Sequence, residues 1–283
     1  MLEHCERDIN TDMQGGLNDG YQPSGDLLKD RVILVTGAGD GIGRAAAVEY
    51  SKYGATVLLT GRTKSKLERV YDEIVGLGYV EPMIYVLDLA EVGEDELMQI
   101  ALSIRKDLGR LDGVLHNAAD LDVLTPFEHI DQASWERTMR VNVTIPFLLT
   151  KACIPLLREQ KSSSIVFTTD ECANKPKGYW GAYAVSKAAV QNFAGMLAIE
   201  LQNTSVSVNC IDPGATRTGM RLRTHPGSPI KSYPLPAAIM TAYLYLMGPD
   251  SAGVRGHVLQ AAKWLENTRD DRQYQIKGAT IIP

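Results

Sequence analysis

The chain lacks the features that would assign it to several large protein classes. It has four cysteines, Cys5, Cys153, Cys172 and Cys210, none in a Cys-x-x-Cys pair. Neither a zinc site nor a disulfide framework is therefore indicated, and no bound metal is expected. No uninterrupted apolar run reaches the ~18 residues that would suggest a membrane span. The first 26 residues carry Glu3, Glu6, Asp8 and Asp12 and lack the basic start and apolar centre of a secretory signal. Positive charge is in deficit, with 29 Lys and Arg against 34 Asp and Glu. That balance argues against nucleic acid as a main partner. These absences together predict a cytoplasmic protein with no nucleic-acid or membrane partner.

Apolar residues make up 45% of the chain, enough for a large core. Val32-Ile33-Leu34-Val35 is a continuous aliphatic run that suits a strand buried on both faces. Further strands are expected at 56–60, 83–87, 113–116, 164–169, 206–211 and 258–261. Helices are expected at about 44–53, 64–75, 94–108, 134–159, 182–202 and 236–247, with Pro146 and Pro155 as kinks in the fourth. Strands alternating with helices of this length imply βαβ units, a parallel sheet and a doubly wound α/β fold in one domain. The polar stretch 1–26 reads as a mobile arm, 27–262 as the folded domain and 263–283 as a tail.

Two motifs carry chemistry. In Gly181-Ala182-Tyr183-Ala184-Val185-Ser186-Lys187, Tyr183 and Lys187 lie four apart on an expected helix, which puts them on one face. An ammonium beside a phenol lowers the tyrosine pKa from its usual ~10, so Tyr183 is expected to give or take a proton at moderate pH. The run Thr36-Gly37-Ala38-Gly39-Asp40-Gly41-Ile42-Gly43 sits between the first strand and the first helix. Its glycines permit close backbone approach, and the helix start offers N–H groups to a pyrophosphate.

With Asp88-Leu89, His116-Asn117-Ala118-Ala119, Asn142 and Pro213-Gly214, these motifs fall in the order seen in short-chain dehydrogenase/reductases. The chain resembles that family over about residues 27–262. The wording around Tyr21-Gln22-Pro23, Leu111 to Asn117, Trp180 to Tyr183 and Thr216-Arg217-Thr218 is similar to its bacterial YciK-type oxidoreductases. The resemblance implies a Rossmann fold binding a nicotinamide dinucleotide. Tyr183 would be the general acid/base for hydride transfer between the cofactor and a carbonyl or alcohol. Lys187 would lower its pKa and hold the nicotinamide ribose, and Asn142 would belong to a proton relay. Thr36, Gly37, Gly41, Ile42 and Gly43 would form the pyrophosphate turn. Asp88 and Leu89 would meet the adenine, and Asn117 would lie near its ribose. Pro213, Gly214 and Thr218 would lie near the nicotinamide and pyrophosphate. It also implies a homodimer or homotetramer built on the helices at 134–159 and 182–202, where Ala182, Ala184, Ala188, Ala189, Ala194 and Ala198 would admit close approach.

Cofactor choice is read after the second strand, in Thr60-Gly61-Arg62-Thr63-Lys64. The carboxylate that selects NAD(H) is missing there, and Arg62 can pair with a 2′-phosphate, so NADP(H) is expected over NAD(H). The chain departs from the family at one catalytic position. A serine is expected thirteen residues before the tyrosine, but Asp170 stands there. An ionised aspartate only accepts hydrogen bonds and opposes a developing alkoxide, which predicts a weak reductase or a protein that binds NADP(H) with little turnover. Thr168 and Thr169 are the nearest replacement hydroxyls. The segment 216–233 holds Arg217, Arg221, Arg223 and Lys231 with no Asp or Glu. It is expected to be a lid over an anionic substrate, or a basic loop partly facing the cofactor phosphates.

Overall fold

The computed structural model describes residues 21–267. Seven strands run in parallel in the order β3-β2-β1-β4-β5-β6-β7. They are β1 (Val32–Thr36), β2 (Thr56–Gly61), β3 (Met83–Val86), β4 (Gly113–His116), β5 (Ser163–Thr168), β6 (Val206–Asp212) and β7 (Val258–Gln260). The order reverses between β1 and β4, and at such a switch point the crossovers leave to opposite faces and open a crevice at the carboxyl ends of the strands. The helices are α1 (Gly41–Lys52), α2 (Lys64–Gly76), α3 (Glu94–Leu108), α4 (Gln132–Met139), α5 (Ile145–Arg158), α6 (Gly181–Glu200), α7 (Gly219–Thr224), α8 (Met240–Met247) and α9 (Ala261–Asn267). The continuous aliphatic reading of β1 is explained by complete burial of all five of its residues.

Two apolar cores sandwich the sheet. One packs Ile33, Val35, Val57 and Leu59 under α1, α2 and α8. The other packs Leu34, Leu58, Val114 and Ile165 under α3, α5 and α6. The alternation of these strand residues between the faces follows the two-residue period of the pleat. The long helix expected at 134–159 is divided, but not at a proline. Residues Arg140–Thr144 form a π-helical turn between α4 and α5. Pro146 sits in the first turn of α5, directly after the π-helical turn, and Pro155 is carried inside α5. The stretch Gln132–Arg158 is long and apolar enough to cross a membrane by length and composition, and 56% of its most apolar window is buried in this domain's own core.

The expected domain limits shift at both ends. Residues 1–20 and 268–283 of the expected arm and tail lie outside the described residues. Tyr21, placed in the arm, packs edge-on against Tyr245 at 5.2 Å and Trp264 at 5.9 Å, and its hydroxyl donates to Asp250 at 2.8 Å. Trp264, placed in the tail, is buried in α9 against Tyr245 at 4.8 Å. This aromatic clasp buries apolar area that composition alone did not reveal.

His116 at the end of β4 is buried, stacked on Phe167 at 4.6 Å, with Nε2 2.9 Å from the Thr150 hydroxyl. Burial pushes its pKa down to about 3 from the ordinary 6.5. The unfolded chain therefore takes up a proton below pH 6.5 that the folded chain refuses, and this part of the stability is lost as pH falls from 6.5 toward 3. From neutrality to pH 5 the loss is about 2 kcal/mol. The expected result is a shallower fall of urea-unfolding stability between pH 7 and pH 5 in His116→Gln than in the wild type, and parallel slopes would contradict it.

Candidate active site

A cavity of about 620 Å³ opens along the carboxyl ends of β1, β2, β4, β5 and β6. Its size is in the range of dinucleotide and drug-sized ligand sites. The glycine turn forms one wall. A side chain at Gly43 would put its Cβ 2.2 Å from the Gly37 carbonyl oxygen and 2.6 Å from Asn117 Nδ2. Gly37 has φ of 68° and backs onto the Ala118 backbone at 2.9 Å from a would-be Cβ. Only glycine fits these two places, so the turn can lie flat against β4. Part of the expected anion seat is already used, because the Asp40 carboxylate caps α1 by accepting the Gly41 N–H at 2.7 Å. Asp40 also pairs with Lys66 at 2.8 Å, and that hydrogen bond holds its carboxyl below the usual range.

The crevice floor is tied together by one hydroxyl. Thr36 Oγ1 accepts the N–H groups of Asn117 at 3.0 Å and Ala118 at 3.1 Å and donates to the Leu115 carbonyl at 3.3 Å. Asn117 also donates to the Thr36 carbonyl at 3.4 Å and accepts from the Thr168 hydroxyl at 3.4 Å. Asn117, just after β4, thus bonds to both neighbouring strands, β1 and β5. Gly41, Ile42, Arg62, Asp88, Leu89, Pro213, Gly214 and Thr218 join Gly37 and Asn117 along the cavity wall. Thr36 and Gly43 sit beneath it as supports. Arg62 and Thr63, with Lys66 of α2, mark its far end. Lys66 was not anticipated; it lies in the first turn of α2, which begins at Lys64.

Tyr183, Lys187 and Asp170 line the opposite end of the same cavity. The helical spacing brings Lys187 Nζ 5.4 Å from the Tyr183 ring centre, and the ammonium donates to the Thr168 carbonyl at 2.8 Å. The expected lowering of the Tyr183 pKa is not what the fold produces. Burial, then the charges of Asp170 and Asp212, raise it well above the ordinary 10. Burial also lowers the pKa of Lys187. Removing a phenolate from water outweighs the single cation, so Tyr183 stands as a held proton donor.

Asn142 lies in the π-helical turn and is buried. Its amide donates to the Asp120 carbonyl and the Ser186 hydroxyl, both at 2.9 Å, and its oxygen accepts the Asp120 N–H at 2.7 Å. These bonds make the Asn142 side chain a lock between the loop after β4 and α6. Ser186 passes the link on by donating to the Tyr183 carbonyl at 2.7 Å. Ser186 was missed, and its signal is a serine three residues after Tyr183, on the helix face that Tyr183 and Lys187 share.

Asp170 caps a short turn, accepting the Cys172 N–H at 2.9 Å. Of the two replacement hydroxyls, that of Thr168 donates to Asn117, while that of Thr169 accepts from Gln191 at 3.0 Å and keeps its own proton. The Cys172 thiol is pushed up by burial and by Asp170. Trp180 covers Tyr183 with ring centres 5.6 Å apart and meets His225 at 5.9 Å and Lys177 at 5.7 Å.

The expected lid is only partly over the cavity. Arg221 and Arg223 of α7 line it. Arg217 turns instead to the carbonyls of Lys231 and Tyr233. Among the described residues no His, Cys, Asp and Glu cluster could hold a metal ion.

The family model for short chain dehydrogenase matches residues 31–227. The chain is 44% identical to the uncharacterized oxidoreductase YciK of Escherichia coli K12, over 85% of this chain and 95% of that one. Two solved structures are similar at TM-score 0.82. A short chain dehydrogenase from Escherichia coli CFT073 complexed with NADPH is 44% identical, covering 84% of this chain and 99% of that one. One from Shigella flexneri 2a complexed with NADP is 42% identical with the same coverage.

The raised Tyr183 pKa has a direct optical consequence. In the ligand-free protein, wild type and Tyr183→Phe are expected to show the same tyrosinate absorbance up to about pH 10. A tyrosinate present only in the wild type between about pH 7 and 9 would show that Lys187 prevails over burial.

Proposed function

The chain belongs to the short-chain dehydrogenase family, and from that premise we propose that it is an NADP(H)-dependent oxidoreductase acting on a carbonyl or alcohol substrate. The observation that carries this reading is the single cavity that holds Tyr183 and Lys187 at one end and the glycine turn, Arg62 and Lys66 at the other. The residues fit a dinucleotide, because the Gly37–Gly43 cradle would be filled by any Cβ. When bound, NADPH supplies the hydride. Thr36 and Asn117 hold the crevice open, and Arg62 and Lys66 would hold the 2′-phosphate. Lys187 would hold the nicotinamide ribose, while Tyr183 would keep its proton until the substrate oxygen takes it. Preference for NADP(H) is supported by the cofactors of the two similar structures and by the absence of a carboxylate in Thr60 to Lys64.

A second reading, an NADP(H)-binding protein of low turnover, is favoured by the Asp170 carboxylate where a hydroxyl donor is expected. Turnover with reactive ketones, aldehydes and quinones separates the two. Arg221 and Arg223 in the cavity wall support an anionic substrate. Buried free thiols at Cys153, Cys172 and Cys210 suit a reducing cytoplasm.

Assembly into a homodimer or homotetramer is supported by α5 and α6, where Ala184, Ala188 and Ala189 of the six expected alanines are exposed or partly exposed. Ala182, Ala194 and Ala198 are buried within this chain. The exposed apolar side chains on those helices are Phe147, Val185, Met196 and Ile199. Light scattering at micromolar concentration is expected to give at least twice the 31.0 kDa chain mass.

Tyr183→Phe is expected to lower kcat by about 10²- to 10⁴-fold while the NADPH Kd changes little, because only the proton donor is lost. Arg62→Asp is expected to move binding preference toward NADH, as read by cofactor fluorescence titration. Wild-type protein that binds NADH as tightly as NADPH would contradict the cofactor assignment.

A further inference from the structure

A carboxylate with no ion-pair partner among the described residues stands beside Tyr183, a poor match for the reduction of a neutral ketone. Asp170 lines the cavity beside Tyr183 and Lys187. Asp212, at the end of β6, adds a second negative charge that acts on both residues. Its carboxylate accepts the Gly214 N–H at 2.9 Å. Against these two stands the ammonium of Lys187, which spends a hydrogen bond on Thr168. Glu171 is bridged by Lys175 at 3.0 Å and Lys177 at 2.9 Å, and neither lysine forms an ion pair with Asp170. Arg221 and Arg223 enter the cavity from α7, and Arg221 is held against Tyr233, 4.9 Å from its ring centre and 3.3 Å from its hydroxyl. His225 and Cys172 complete the ionisable groups near Asp170. A group that carries positive charge would pair a carboxylate that otherwise has only backbone and thiol partners.

We propose that the electrophile this site prefers is a protonated imine whose N–H faces the Asp170 carboxylate, rather than a neutral ketone. This rests on the hydride-transfer function proposed above and names its substrate class. A carboxylate only accepts hydrogen bonds, and an iminium nitrogen offers a donor where a carbonyl oxygen offers an acceptor. The step balances without further reagents. The hydride brings its electron pair to the imine carbon, the C=N π pair becomes the nitrogen lone pair, and a neutral amine and NADP⁺ leave. The proton is already on nitrogen. The imine takes it from solvent before binding, and Asp170 keeps it there. Relative to a neutral imine, the transition state still carries part of the positive charge, so the carboxylate accelerates the reaction. For a ketone the same carboxylate faces a growing alkoxide, at a cost on the order of 10²–10³ in rate compared with a hydroxyl donor.

The test uses full-length protein with NADPH and matched pairs of cyclic imine and cyclic ketone, including one pair that carries a ring carboxylate. Wild type is expected to reduce the imine with a kcat/KM at least ~10-fold above that of the ketone, and Asp170→Ser to reverse the order. A binding measurement keeps the result independent of turnover. Calorimetry on NADPH-loaded protein should show piperidinium binding about 10-fold tighter than cyclohexanol, with that difference lost in Asp170→Asn. NADPH affinity should stay within about two-fold in both variants, which controls for folding. Wild type that reduces ketones and not imines overturns the proposal and leaves the oxidoreductase function standing. If neither wild type nor Asp170→Ser turns over any member of the pairs, the oxidoreductase reading falls and the proposal falls with it.

Discussion

The opening between β1 and β4 depends on one hydroxyl. Parallel strands that diverge to opposite faces leave backbone N–H groups at the switch point without a ladder partner, and buried N–H groups must be satisfied. Thr36 supplies the acceptor for two of them and returns its own proton to the Leu115 carbonyl. Asn117 then extends the tie to β5 through Thr168, whose carbonyl receives the Lys187 ammonium. The glycine turn, the crevice floor and the Tyr183 helix are therefore joined by a single chain of hydrogen bonds across three strands. A ligand entering there meets walls already fixed, which lowers the ordering cost of binding.

Much of this frame was legible in the sequence, and the reasons are physical. The first strand could be read because burial on both faces demands an unbroken aliphatic run. The glycines at 37 and 43 could be read because no other residue tolerates their contacts. Helix limits at 94 and 108 followed from an acidic first turn and a left-handed Gly109 cap. What could not be read was set by tertiary context. Pro146 and Pro155 drew attention away from the π-helical turn at 140–144, because the insertion is stabilised by Asn142 and by Arg140, which donates to the Ala90 and Val92 carbonyls at 2.6 Å. Alanine spacing on α6 suggested a packing seam, but half of those alanines face the chain's own sheet. Trp264 and Tyr21 come from opposite ends of the chain, so no local pattern could pair them.

Site electrostatics shows why spacing alone misleads. An i,i+4 Tyr–Lys pair in water depresses the phenol pKa, since the cation is the largest perturbation. In this fold the pair is buried and shares its surroundings with Asp170 and Asp212, so desolvation and negative charge dominate. The same two side chains thus act oppositely according to what surrounds them. Lys187 has a structural duty before any chemical one, through its bond to Thr168.

The π-helical turn also works as a phase adjuster. Each residue advances an α-helix by about 100°, so a five-residue turn rotates everything after it relative to everything before. α4 thereby faces the loop after β4, where Arg137 pairs with Asp120 at 3.2 Å. α5 faces the sheet with Leu149, Cys153, Leu156 and Leu157. A regular helix would have to choose between these alignments. The extra residue resolves the conflict as a gear tooth would, and it places Asn142 at the junction, where both halves can be checked against α6. Length at this point is thus a stricter requirement than side-chain identity. The chain could exchange many residues along α4 and α5 and keep its fold, but dropping a single residue between 140 and 144 would turn one half out of mesh.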